Sequence, residues 1–299
     1  MPAIINLTLP SPLERVQNTQ PLTLSKGEGR VRPIIFTKMP KSALFILFIF
    51  ISFNLQAQTW ELGGFLGGSA YMGDLNPNNP VKLSGIAAGA LVQRNFDGYI
   101  SAKLNYTYGQ ISANDANSGS QQFRDRNLSF TTQLNELALI GEFNFMKYIP
   151  EAGENRYTPF LYAGIGVVNY NPQATYMGQV YDLRPLTTEG QSKPYSRMAM
   201  TIPYGVGFKY NFSGTWNIIA DIGYRKPNTD YLDDVSGNYA IKSKLPNDLS
   251  RALSDRSGEN TGVYIGIPGT QRGDLQKRDT YMFVGFTLTF TFVTSKCYY

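Results

Sequence analysis

The segment TYMFVGFTLTFTF, Thr280–Phe292, decides how the whole chain is read. Met282, Val284, Phe286, Leu288, Phe290 and Phe292 take every second position, with Tyr281, Phe283, Gly285, Thr287, Thr289 and Thr291 between them. A period of two places successive side chains on opposite faces of a β-strand, so one face of this strand is strongly apolar. That face meets either a protein core or lipid, and the rest of the sequence chooses between them.

Working back from this segment, alternating stretches recur at 58–69, 84–94, 98–110, 133–148, 157–170, 199–212 and 215–226, making eight with the last at 279–293. In the third, Ile100, Ala102, Leu104, Tyr106 and Tyr108 oppose Ser101, Lys103, Asn105 and Thr107. In the seventh, Trp216, Ile218, Ala220, Ile222 and Tyr224 oppose Asn217, Asp221 and Arg225. Tight turns (NFDG, PEAGENR, NFSGT) alternate with long connections at about 70–83, 111–132, 171–198 and 227–278. An even strand number with short turns at one end and long loops at the other is the pattern of an outer-membrane barrel.

A soluble sandwich alternates too. Three features favour lipid. The segments are longer than the roughly 5–6 residues of ordinary strands. Trp60, Tyr99, Tyr108, Tyr148, Tyr157, Tyr170, Tyr210, Trp216 and Tyr224 collect at strand ends, as membrane-interface girdles do. A signal segment precedes the strands: Lys38 and Lys41, an apolar run from Ala43, then Leu55-Gln56-Ala57 before Gln58. That run is shorter than the ~20 residues of a spanning helix and has the form of a secretory signal peptide. The expected organisation is a non-native leader at 1–38, a signal peptide at 39–57, and an eight-stranded antiparallel transmembrane β-barrel at 58–299. An open sheet edge in hydrocarbon leaves backbone groups unpaired, so such a sheet must close. Short turns and both termini are expected in the periplasm, and long loops outside.

Charge and composition exclude several functions. Residues 1–41 hold six basic and two acidic side chains, which leaves 21 basic and 20 acidic for the remainder, a net +1. A nearly neutral body offers no basic patch for nucleic acid. The chain contains no histidine, so Ser-His, Cys-His and His-metal chemistry are all missing. Cys297 stands alone and forms no internal disulfide. No catalytic residue, metal ligand or cofactor is assigned.

Inside an eight-stranded barrel there is room for side chains and little else. The inward set includes Glu61, Lys103, Glu136, Glu142, Lys209, Asp221 and Arg225, with Gly63, Gly67, Gly205 and Gly207 making space. Such charges are expected to pair in a structural network; a proton or ion path is the sharper alternative. Gly67, Gly68, Tyr71, Gly73 and Asp74 fall where strand one turns into its loop, either as a plain strand end or as a contact site. Asp230, Asp233 and Asp234 lack the alternate spacing of a calcium loop and read as solvated acids, with calcium the alternative. LPNDLSRALSD (245–255) suggests a short helix capped by Asn247 or Asp248, with Leu249 and Leu253 on one side.

The segments ELGGFLGGSAYMGDL (61–75), LNYTYGQISAND (104–115), TDYLDDVSGNY (229–239) and RDTYMFVGFTLTFTF…KCYY (278–299) resemble the PorG-type outer-membrane barrels of the type IX secretion system. The resemblance covers the whole mature region. It implies a non-enzymatic barrel in the Gram-negative outer membrane that anchors or positions a periplasmic ring protein or lipoprotein of that machinery, without being its conduit. Ring contacts on the short-turn side would then involve Asn95, Asp97, Glu151, Glu154, Arg156, Lys296 and Tyr299. The terminal residues compete for a second role, as a signal read by the barrel-insertion machinery. The rival function is a passive barrel, either a minor channel or a surface adhesin.

Overall fold

The computed structural model describes residues 59–150, 155–274 and 278–292, so the leader at 1–38 and the signal segment at 39–57 lie outside the described residues. Eight long strands form one ring: β1 (Thr59–Met72), β2 (Leu83–Asn95), β3 (Ile100–Asn114), β4 (Ser129–Asn144), β5 (Tyr157–Tyr176), β7 (Met198–Ser213), β8 (Trp216–Pro227) and β9 (Thr280–Phe292). Each pairs antiparallel with its neighbours, and β9 returns to β1 from Trp60↔Phe292 to Met72↔Thr280. The ring has no free edge. A ninth strand, β6 (Gln179–Asp182), pairs only with Gln173–Tyr176 at the top of β5. Short helices α1 (Gln121–Arg126), α2 (Asp248–Ser254) and α3 (Ser257–Thr261) sit in the long loops. No helix among the described residues is long and apolar enough to cross a membrane.

The fold is a closed eight-stranded antiparallel β-barrel. Its outer surface answers the question raised by the last strand. On β9, Phe286, Leu288 and Phe292 point outward and are exposed, while Tyr281, Phe283, Thr287, Thr289 and Thr291 are buried inside. Leu66, Ile86, Leu104, Leu139, Ile165 and Val206 continue the apolar surface around the ring. A contiguous belt of this kind cannot face water and marks a lipid-facing wall. Exposed Trp60, Tyr99, Tyr157, Tyr210 and Trp216 border the belt at the short-turn end, with Phe96, Phe145, Phe212 and Phe292 among them.

Two residues expected in that girdle are elsewhere. Tyr148 turns under the barrel floor, 4 % exposed, and donates a 2.6 Å hydrogen bond to Asn217 Oδ1. Tyr170 faces inward and stacks in parallel with Tyr195, which stacks on Tyr231 at 4.5 Å. Tyr170 shares the parity of the inward Phe160 and Tyr162 on β5, whereas Tyr148 lies beyond the end of β4, where the period of two no longer applies.

The strands also run further at the long-loop end than the sequence suggests. β4 begins at Ser129 rather than 133, and β5 continues to Tyr176 rather than 170. The strand passes through Pro172, which offers no ladder donor but whose carbonyl accepts the N–H of Leu183 at 2.9 Å. Helix α2 forms where expected, with Asn247 capping it by accepting from Ser250 N–H at 2.7 Å.

Candidate functional site

The interior divides into a charged lower half and a mouth closed by the long loops. In the lower half, Glu142 on β4 accepts Lys209 Nζ from β7 at 2.5 Å, and Lys103 Nζ from β3 lies 2.6 Å from its other oxygen. Phe160 lies under both ammonium groups, at 4.8 and 5.9 Å from ring centre to nitrogen. One level up, Arg225 Nε on β8 pairs with Glu136 at 3.4 Å while its guanidinium rests on Phe283. Tyr281 donates to the other Glu136 oxygen at 2.5 Å. The seven charged residues assigned to the interior are all brought inside the ring, but they do not all pair. Glu61 is held by neutral donors, Asn95 Nδ2 at 2.6 Å and Thr289 Oγ1 at 2.9 Å. Asp221 accepts from the Tyr162 hydroxyl at 3.2 Å. Neither has an ion pair among the described residues.

Glycine makes this filling possible. Gly67 and Gly285 face one another across β1 and β9, and the Phe65 ring occupies the space their side chains would take. Tyr162 lies against Gly205 and Gly223 in the same way, and Phe160 against Gly207. Lys209, Phe160, Phe283 and Tyr281 are each under 2 % exposed, so large side chains fill the interior at their levels.

Of the candidate partner contacts, Asp97 is exposed, and its carboxylate accepts the N–H groups of Tyr99 and Ile100 at 2.7 Å each, which fixes the β2–β3 turn. Arg156 is exposed. Asn95 is not on the turn surface: it is 8 % exposed and belongs to the interior through Thr59 and Glu61. The period of β2 carries it inward, one residue before the turn begins. Glu151, Glu154, Lys296 and Tyr299 lie outside the described residues.

The mouth is where sequence reasoning falls short. The β8–β9 connection packs onto the barrel through its described residues: Leu232 and Val235 join Tyr71, Ile111, Phe130, Tyr170 and Phe283 in one apolar core. Thr132 Oγ1 anchors the Leu232 carbonyl at 2.6 Å. Around this core stand two buried ion pairs, Arg126–Asp115 at 2.7 Å within the β3–β4 loop and Arg272–Glu189 at 3.0 Å between two loops. Arg272 also donates to the carbonyls of Asp234 and Ser254. Asp233 and Asp234, read as solvated, are 2 % and 0 % exposed. Burial pushes Asp234 up to about 6 despite Arg272 and hydrogen bonds from Thr188 and Tyr195. Asp230 is likewise pushed up to about 6 by burial, with Asp274 and Glu189 adding to the rise. The strand-one motif is no plain strand end: Tyr71 is buried, and its hydroxyl donates to Asp233 and to Asp279. The only sequence signal for this site was the density of Asp beside Gly and Tyr in two segments far apart in the chain.

Three solved structures share this architecture in outline. The N-terminal β-barrel domain of Pseudomonas aeruginosa OprF is 13 % identical, with 79 % of this chain and 98 % of that one covered and a TM-score of 0.36. Neisserial surface protein A is 6 % identical, with 79 % and 97 % covered and a TM-score of 0.37. A major outer membrane protein from Thermus thermophilus is 11 % identical, with 79 % and 100 % covered and a TM-score of 0.36. No curated protein matches the chain. The family described as "Domain of unknown function (DUF6089)" matches residues 41–245, which includes β1 to β8 and the start of the mouth loop. The chain, an eight-stranded barrel of the outer-membrane type, therefore belongs to the DUF6089 family.

Proposed function

We propose that this protein is a non-enzymatic outer-membrane barrel that anchors or positions the periplasmic ring of the type IX secretion machinery, with its short turns and termini in the periplasm. The observation that supports the non-conduit part is the filled interior: the Lys103–Glu142–Lys209 group and the aromatic–glycine packing occupy the space between the strands. The secretion role itself rests on the resemblance of the four sequence segments. A ring partner on the short-turn side would meet Asp97 and Arg156, both exposed.

The second reading is a passive barrel. Of its two forms, a packed interior favours a surface-interaction protein over a channel, and the folded cap on the long loops gives it a surface to use. Affinity capture of the tagged protein from gently solubilised outer membranes, with partners identified by mass spectrometry, separates the readings. Recovery of periplasmic ring components, reduced by Asp97→Lys with Arg156→Glu, supports anchoring. Recovery of the barrel alone, with secretion intact in a deletion strain, overturns it in favour of the passive barrel.

A further inference from the structure

Three carboxylates meet at the barrel mouth from distant parts of the chain. Asp74 follows β1, Asp230 follows β8, and Asp279 precedes β9, and each presents an oxygen within 4.8 Å of the other two. Asp74 and Asp279 are each 1 % exposed, and Asp230 is half-buried at the rim. Asp233, 2 % exposed, borders them through the Tyr71 hydroxyl it shares with Asp279. The nearby guanidinium groups pair with other carboxylates, Arg126 with Asp115 and Arg272 with Glu189, and Arg126 meets Asp74 only at its backbone carbonyl, at 3.0 Å.

Repulsion among buried like charges is expensive unless a cation or bound protons offset it. An independent observation points to what that cation meets. Asp74 Oδ1 accepts the backbone N–H of Asp274, but Asp74 Oδ2, fully buried, has no hydrogen-bond partner among the described residues. The backbone closes in around the same group. A side chain on Gly73 would run into Asp279 and Tyr71, and one on Gly273 into Asp74.

The donor set is all oxygen, which selects a hard cation over zinc or copper. Calcium–oxygen distances of about 2.3–2.6 Å let two ligands of one ion stand up to roughly 5 Å apart, and the three oxygens here fit inside that span. We propose that Asp74, Asp230 and Asp279 together bind one Ca²⁺ ion, which ties the β1–β2 loop, the start of the β8–β9 loop and the head of β9 into one closed mouth. Asp233 supports the site from behind through Tyr71. The ion's role is structural: it fastens the cap to the barrel.

The test is calcium titration of the purified full chain in detergent, after chelator treatment, by isothermal calorimetry. The expected result is one saturable site, with affinity at least tenfold weaker in Asp230→Asn and binding abolished in Asp279→Asn. Asp230 sits at the rim, so its substitution leaves the barrel folded, as heat-modifiable gel mobility would verify. In parallel, Ca²⁺ should slow proteolysis within residues 228–279 of the wild type, and chelator should restore it. Absence of saturable uptake by the folded wild type, or unchanged affinity in folded Asp230→Asn, overturns the assignment. The carboxylates would then be held together by shared protons.

Discussion

Lys209 on β7 reaches past β5 to Glu142 on β4, Nζ to Oε2 at 2.5 Å, with both side chains essentially sealed from solvent. The same carboxylate faces Lys103 from β3. One anion thus holds two cations between strands that are not all neighbours, while Phe160 lies beneath both.

Because one carboxylate contacts two buried ammonium groups, Glu142→Gln removes the ion-pair partner of both. Breaking a buried pair from one side costs about 3–5 kcal/mol, and that loss is the expected outcome in urea unfolding of the lipid-reconstituted protein. A change below about 1 kcal/mol would show that the lysines are solvated or otherwise paired.

Gly285→Ala tests the aromatic–glycine packing. Its Cβ would press on the Leu66 carbonyl and the Gly67 backbone, neither of which can swing aside. Overpacking of this kind costs about 1–3 kcal/mol, so a reduced folded band is expected in heat-modifiable electrophoresis. Gly141→Ala is the control: the nearest atom to its Cβ is the Ala163 carbonyl oxygen at 3.8 Å, an ordinary contact. Equal behaviour of the two variants would refute the packing account.

The lipid-facing belt predicts a dependence on depth. Phe286 is 63 % exposed at the middle of β9, and Phe292 is 52 % exposed at its end. Phe286→Arg should cost about 2–4 kcal/mol in bilayers and Phe292→Arg about 0–1. The same pair measured by chemical unfolding in vesicles distinguishes a membrane wall from a soluble one, where both changes would be nearly neutral.

Asp255 contributes one part of the acid response of the cap. Burial alone would raise its pKa, but hydrogen bonds from Ser257 and Lys242, with the charge of Lys242, bring it below the ordinary carboxylate value. A depressed carboxyl favours the folded state in its ionised form. Its contribution is therefore complete above the unfolded value of about 3.9 and fades as pH falls through the lower folded value. Asp255→Asn should increase hydrogen exchange in α2 and α3 at pH 7. At a pH below both values the variant and wild type should converge; a gap that persists there would assign the effect to packing instead.

What the sequence determined follows from local geometry. A strand's side chains alternate whatever lies beyond them, so the eight strands, their outward apolar faces and the inward placement of Glu61, Lys103, Glu136, Glu142, Lys209, Asp221 and Arg225 were legible from period two. Short turns between long strands then required antiparallel neighbours, and hydrocarbon required closure. Pairing within the interior was not legible, because it depends on strand register and on which rows come level around the ring: Glu142 found Lys103 on the adjacent β3 and Lys209 beyond β5, whereas Glu61 found Asn95 and Thr289 on its two neighbouring strands. The mouth was hidden for a stronger reason. Loop 228–279 carries no periodicity, and Asp74, Asp230 and Asp279 become neighbours only when β1, β8 and β9 bring their ends together. Burial of those aspartates is a property of the closed cap, and only the tertiary structure decided it.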